Sequence, residues 1–94
     1  MLEKDVERHL SAVVLKAGGR CCKWTGTMGA PDRIVFLPRG IVLFVEVKTK
    51  GGKVSKIQEV MHRQLRSLGT EVHVIWSKED ADDLIKTALE APPQ

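Results

Sequence analysis

Cysteine is scarce in this 94-residue chain, and the two present, Cys21 and Cys22, are neighbours. Neighbours in an extended segment point to opposite faces, so they do not bridge each other. No CxxC pair occurs, and His9, His62 and His73 lack zinc-ligand spacing. A disulfide scaffold and a structural zinc centre are therefore excluded, and reduced, cytoplasmic thiols are expected. Long apolar runs are missing too. The longest, Ile41 to Val45, is far too short to span a bilayer. Glu3, Lys4 and Asp5 leave no room for the apolar core of a signal peptide. What is present is ordinary: 43% hydrophobic and 29% charged residues, which argues for a folded domain over a disordered chain. The net charge of +3 permits a polyanionic partner without specifying one.

Periodicity divides the chain into seven elements. Val6, Leu10, Val13, Val14 and Ala17 recur at helical spacing, so residues Leu2 to Ala17 form a helix that Gly18 and Gly19 end. Arg20 to Trp24 is a short strand, and the loop Thr25 to Pro31 follows. Arg33 to Leu37 and Ile41 to Lys48 are strands joined by the tight turn Pro38-Arg39-Gly40. The apolar start of the third strand implies burial on both faces. Ser55 with Gln58 three residues later opens a helix whose apolar stripe is Ile57, Met61, Leu65 and Leu68. Glu71 to Trp76 alternates as a strand, with Val72, Val74 and Trp76 on one face. Ser77 and Asp80 open a last helix. The order α-β-β-β-α-β-α implies an α/β fold, a mixed sheet flanked by helices, with the middle helix crossing over between parallel strands. Residues 1–90 make one domain and 91–94 a frayed tail.

The third strand breaks its own pattern. Its apolar run ends in Glu46-Val47-Lys48, and alternation places Glu46 and Lys48 on the face of Phe44, about 6.6 Å apart along the strand. If Pro38 to Gly40 is the hairpin loop, Leu37 opposes Ile41, and counting back brings Asp32 opposite Glu46. Directly opposed residues share a face with Cβ atoms about 5 Å apart. Opposed carboxylates destabilise a sheet unless compensated, and a divalent cation with oxygen ligands, Mg²⁺ or Mn²⁺, is the natural compensation. On the helical wheel Glu3 falls inside the stripe of Val6, Leu10 and Val14, making it a candidate third carboxylate, with Glu7 at the stripe's edge. Lys50, Lys53 and Lys56 flank the strand's exit and are candidate phosphate contacts.

The segment Gly29-Ala30-Pro31-Asp32-Arg33-Ile34-Val35, then Phe44-Val45-Glu46-Val47-Lys48, then Gln58, resembles the VRR-NUC family of the PD-(D/E)XK nuclease superfamily. The resemblance covers nearly the whole chain and is to the compact stand-alone form of phages and bacteria. It implies a restriction-endonuclease-like fold and a Mg²⁺- or Mn²⁺-dependent DNA endonuclease, acting as a homodimer on Holliday junctions or other branched DNA in the cytoplasm of the host cell. Residue by residue, it implies that Asp32 and Glu46 bind the metal with the Val47 carbonyl, and that Lys48 and Gln58 complete the catalytic set. It further matches Glu3 to the acidic residue of the first helix and Lys23 to a DNA-contacting lysine.

Plainer readings stand beside these. Glu46 and Lys48 could be a solvated strand end, Asp32 a turn residue, and Gln58 only the reciprocal cap of Ser55. Trp24 is expected to pack on the first helix, Trp76 to lie in the core, and His62 and His73 to sit at the surface or be satisfied. The alternative functions are a non-catalytic nucleic-acid-binding module of the same fold and a nuclease acting on RNA.

Overall fold

A computed structural model describes residues 2–49 and 51–92. Helix α1 is Glu3–Lys16, strands β1 and β2 are Arg20–Lys23 and Arg33–Leu37, and β3 is Ile41–Val47. Helix α2, Lys56–Ser67, is followed by β4, Glu71–Ile75, and α3, Lys78–Glu90. The element order is the one expected from the sequence. The four strands lie in the order β1-β2-β3-β4. The first three are antiparallel, and β4 runs parallel to β3, with α2 as the crossover.

Val6, Leu10 and Val14 of α1 are buried, as the helical stripe predicts. They meet Val35 and Leu37 of β2, Leu43, Val45 and Val47 of β3, and Ala81 and Ile85 of α3. One face of the sheet is thus covered by α1 and α3 together. The turn into β1 is closed by Gly19, where a Cβ would lie 2.2 Å from the Phe36 carbonyl oxygen. Only glycine allows that approach. At the hairpin, Leu37 pairs with Ile41 and the ladder runs back to Arg33 with Val45, the expected register.

The other face carries α2, and here the sequence pattern misleads. Of the expected stripe, Ile57 is 53% and Leu68 80% exposed, while His62, expected at the surface or satisfied, is buried. The inward line therefore includes polar residues, which an apolar count passes over. Helix α2 packs chiefly on β4. That leaves Phe36 and Val42, cross-strand partners on this face, exposed. Burial of β3 on both faces holds at Glu46 and Val47 and fails at Val42. Trp76 lies past the end of β4 and is 41% exposed, so it is not in the core; Ile75, which pairs with Val47 and points to the opposite face, is. Among the described residues, no helix is long and apolar enough to cross a membrane.

Candidate active site

Alternation along β3 sends Leu43, Val45 and Val47 into the core under α1 and α3, and Phe44, Glu46 and Lys48 to the α2 side. The parallel ladder continues one step past the strand, with the Lys48 N–H donating to the Ile75 carbonyl at 2.9 Å. Lys48 is therefore held in extended backbone with its side chain beside that of Glu46. Its Nζ lies 3.3 Å from Glu46 Oε2, and the two side chains are 17% and 2% exposed.

Asp32 is fixed from both sides. Its carbonyl accepts the Trp24 N–H at 2.9 Å, extending the β1–β2 ladder. Its carboxylate Oδ2 accepts the Val47 N–H at 3.1 Å, taking the position a strand carbonyl would occupy. Pro31, before it, has no N–H to satisfy and is fully buried. The ladder of β2 and β3 stops at Arg33 and Val45. One residue further on, the Asp32 carboxylate stands near Glu46, as the hairpin count predicts.

Gln58 completes the group. Its amide Oε1 accepts the Ser55 N–H at 3.0 Å, and the Ser55 hydroxyl accepts the Gln58 N–H at 3.2 Å, forming a reciprocal helix cap. The other end of the same amide, Nε2, donates to Glu46 Oε2 at 3.0 Å. Cap and site contact are thus one side chain in one conformation.

The electrostatics of Glu46 follow from this packing. Burial, then the Asp32 carboxylate, push its pKa up to about 7, while Lys48 pulls it down. Both its Lys48 and Gln58 contacts go to Oε2. Oε1 is buried and has no hydrogen-bond partner. A buried acceptor without a partner is costly, and two carboxylates held together repel. Both features suit a divalent cation, so the residues present fit one. Among the described residues no cluster of three or more His, Cys, Asp or Glu side chains forms a metal cage. A site of two carboxylates suits an ion such as Mg²⁺ that keeps several waters and is completed by phosphate.

Other sequence candidates fall elsewhere. Glu3 does not aim inward: it is exposed in the first turn of α1, and the buried line of the helix starts at Val6. The α1 carboxylate that does reach the sheet is Glu7, whose Oε2 accepts from Arg33 Nη2 at 2.5 Å. Arg33 Nη1 in turn donates to the Asp32 carbonyl at 3.3 Å, linking α1 to the backbone of the site. Lys23 pairs with Arg33 and so lies on the α1 side of the sheet, opposite Glu46 and Lys48. Lys53 and Lys56 are exposed on the loop and first turn leading into α2. Lys50 lies outside the described residues. Trp24 packs on Phe44, with ring centroids 5.2 Å apart, on the α2 side and not on α1.

Sequence reasoning missed His62. It follows Gln58 by four residues, so the two share a face of α2. It is 2% exposed, and its Nε2 has no hydrogen-bond partner. Burial, then Arg66 and Lys48, hold its pKa below the usual histidine value, favouring the neutral ring. Four-residue spacing from Gln58 was the available signal.

The VRR-NUC domain model matches residues 3–79, which span all the site residues described above. A candidate nuclease, p44, of Acyrthosiphon pisum secondary endosymbiont phage 1 is 40% identical over 79 residues, covering 82% of this chain and 85% of its own. A solved structure described as a VRR_NUC domain superposes with a TM-score of 0.80 at 34% identity, over 89% of this chain and 94% of the other. The chain belongs to the VRR-NUC family of nuclease domains.

Proposed function

We propose that the protein is a divalent-cation-dependent DNA endonuclease that acts on branched DNA, four-way junctions included. The observation that carries the metal-dependent reading is the Glu46 carboxylate: one oxygen engaged by Lys48 and Gln58, the other buried without a partner beside Asp32.

Asp32, Glu46 and the Val47 carbonyl would hold Mg²⁺ or Mn²⁺. Val47 already turns its N–H to Asp32, and in a strand the carbonyl of a residue leaves on the same side as its N–H. When bound, such an ion lowers the pKa of water and polarises a phosphodiester. Lys48 places an ammonium where the attacked phosphate gains charge, and can orient the attacking water. Gln58 positions the Glu46 carboxylate and anchors it to α2. Lys53 and Lys56 would contact flanking phosphates. Glu3 is left out of this donor set, since it stands exposed and apart from Asp32 and Glu46.

A homodimer is part of this reading. The molecule measures 33 × 32 × 20 Å, so its long axis spans about ten base pairs at 3.4 Å per step. Symmetric cutting of a junction needs two sites, which a two-fold pair supplies.

The test is incubation of four-way junction, flap, duplex and RNA substrates with Mg²⁺, Mn²⁺ or EDTA. Cleavage of branched DNA with metal and none in EDTA is expected. Asp32→Ala and Lys48→Ala are each expected to lower cleavage at least about 100-fold with the fold retained. Binding without cleavage in either metal would leave the non-catalytic module as the correct reading. Preferential RNA cleavage would replace DNA as substrate.

A further inference from the structure

We infer that Met28 is an apolar wedge that meets unstacked bases at the branch point, a role that rests on the nuclease reading above and specifies how the substrate is chosen. The residue lies in a turn closed by the Ala30 N–H donating to the Thr27 carbonyl at 3.0 Å. Gly29, at the third position of that turn, has a φ of +81°, which puts Met28 at the outer corner. There it is 77% exposed.

The turn is fixed to the site. A Cβ on Gly29 would lie 2.7 Å from Ile57 Cγ2 and 2.8 Å from the Ile57 carbonyl oxygen, so the turn sits directly on the first turn of α2. Ile57 is 53% exposed, and Val60, three residues on and on the same face, is 47% exposed. The residue after Ile57 is Gln58, which holds Glu46. The residues after the turn are Pro31 and Asp32. An exposed apolar strip therefore adjoins Gln58, which holds Glu46, and the Pro31-Asp32 segment.

A single exposed methionine is common on protein surfaces and signifies little. Three large exposed apolar residues on a turn and a helix that meet at Gly29 and Ile57, next to the proposed active site, are a different matter. The backbone of paired DNA offers charge and sugar, which Lys53 and Lys56 suit and Met28 does not. The exposed faces of unpaired bases are apolar, and methionine or isoleucine wedges between base steps are an established way of holding opened DNA. Trp24, the aromatic residue nearest to this turn in the chain, is already packed on Phe44. Such a wedge favours junctions and flaps, where the helix is interrupted at the branch and its end bases cost little to unstack, over duplex, where unstacking costs more.

The experiment uses a four-way junction and a matched duplex, each with 2-aminopurine at the branch point or the equivalent step, in Ca²⁺ to prevent turnover. Junction binding by the native chain should raise 2-aminopurine fluorescence. Met28→Ala should abolish the rise and, in Mg²⁺, lower the ratio of junction to duplex cleavage about tenfold. Met28→Leu should retain most of both effects. Leu68→Ala, at the far end of α2, should leave both unchanged. A native chain that gives no fluorescence rise overturns the wedge whether or not it cleaves. A rise lost in Met28→Ala without any cleavage supports the wedge and overturns the nuclease reading instead. Met28→Ala that leaves fluorescence intact but dissociates a dimer on sizing overturns the wedge in favour of a protein interface.

Discussion

Glu46 is a carboxylate removed from water with one oxygen unpartnered, and it is costly unless a cation or proton compensates. Its pKa of about 7 lies above the ordinary 4.5, so the metal-free folded chain binds a proton there more tightly than the unfolded chain. Stability without metal should therefore fall as pH rises from about 4.5 to about 7 and stay low above that. Glu46→Gln keeps the shape and removes the charge. In EDTA at pH 8 it should be more stable than the native chain by about 1–2 kcal/mol, with a flatter pH profile. Its cleavage should be abolished. Mg²⁺ should raise the melting temperature of the native chain more at pH 8 than at pH 5, and that of Glu46→Gln little. A Glu46→Gln chain that melts below the native one in EDTA at pH 8 would contradict this account.

At the scale of the element, α2 begins at a cap that is also part of the site. Ser55 and Gln58 cap the helix, and the same Gln58 amide holds Glu46. Ser55→Ala removes a cap worth about 1 kcal/mol and should lower stability with only a few-fold loss of rate. Gln58→Glu keeps a capping acceptor but replaces the donor to Glu46 with a third carboxylate. It should cost little more stability at pH 7 in Mg²⁺ yet cut cleavage far more deeply. Thermal melts and single-turnover rates on one substrate would separate the two; equal rate losses would reduce Gln58 to a cap. The Ser55-x-x-Gln58 pattern was legible because capping is local. The inward turn of His62 was not. Apolar periodicity assigns the buried side of a helix by hydrophobic residues, and this helix turns Gln58 and His62 toward a polar site.

For the whole molecule, the side of the sheet on which a lysine lies decides whether it can follow the DNA. Lys53 and Lys56 lead into α2, on the side of Glu46, and each replaced by alanine should lower the salt slope of DNA affinity by about 1. Lys23 is on the α1 side, so Lys23→Ala should leave that slope nearly unchanged. Binding titrations from low to moderate salt would check both; a large effect at Lys23 would require DNA to wrap around the edge of the sheet.

The sequence by itself determined the element order, the hairpin register and the meeting of Asp32, Glu46 and Lys48. Each depends on local rules: the length of the turn at Pro38 to Gly40, a strand period of two, and helix caps at Ser55 and Ser77. Only the tertiary structure decided that Glu7 and not Glu3 reaches the sheet, that Lys23 lies opposite the site, that Trp76 stays exposed and that His62 is buried. Those outcomes depend on which helix covers which face and where its cover ends. That is set by packing between residues far apart in the chain, so no local period encodes it.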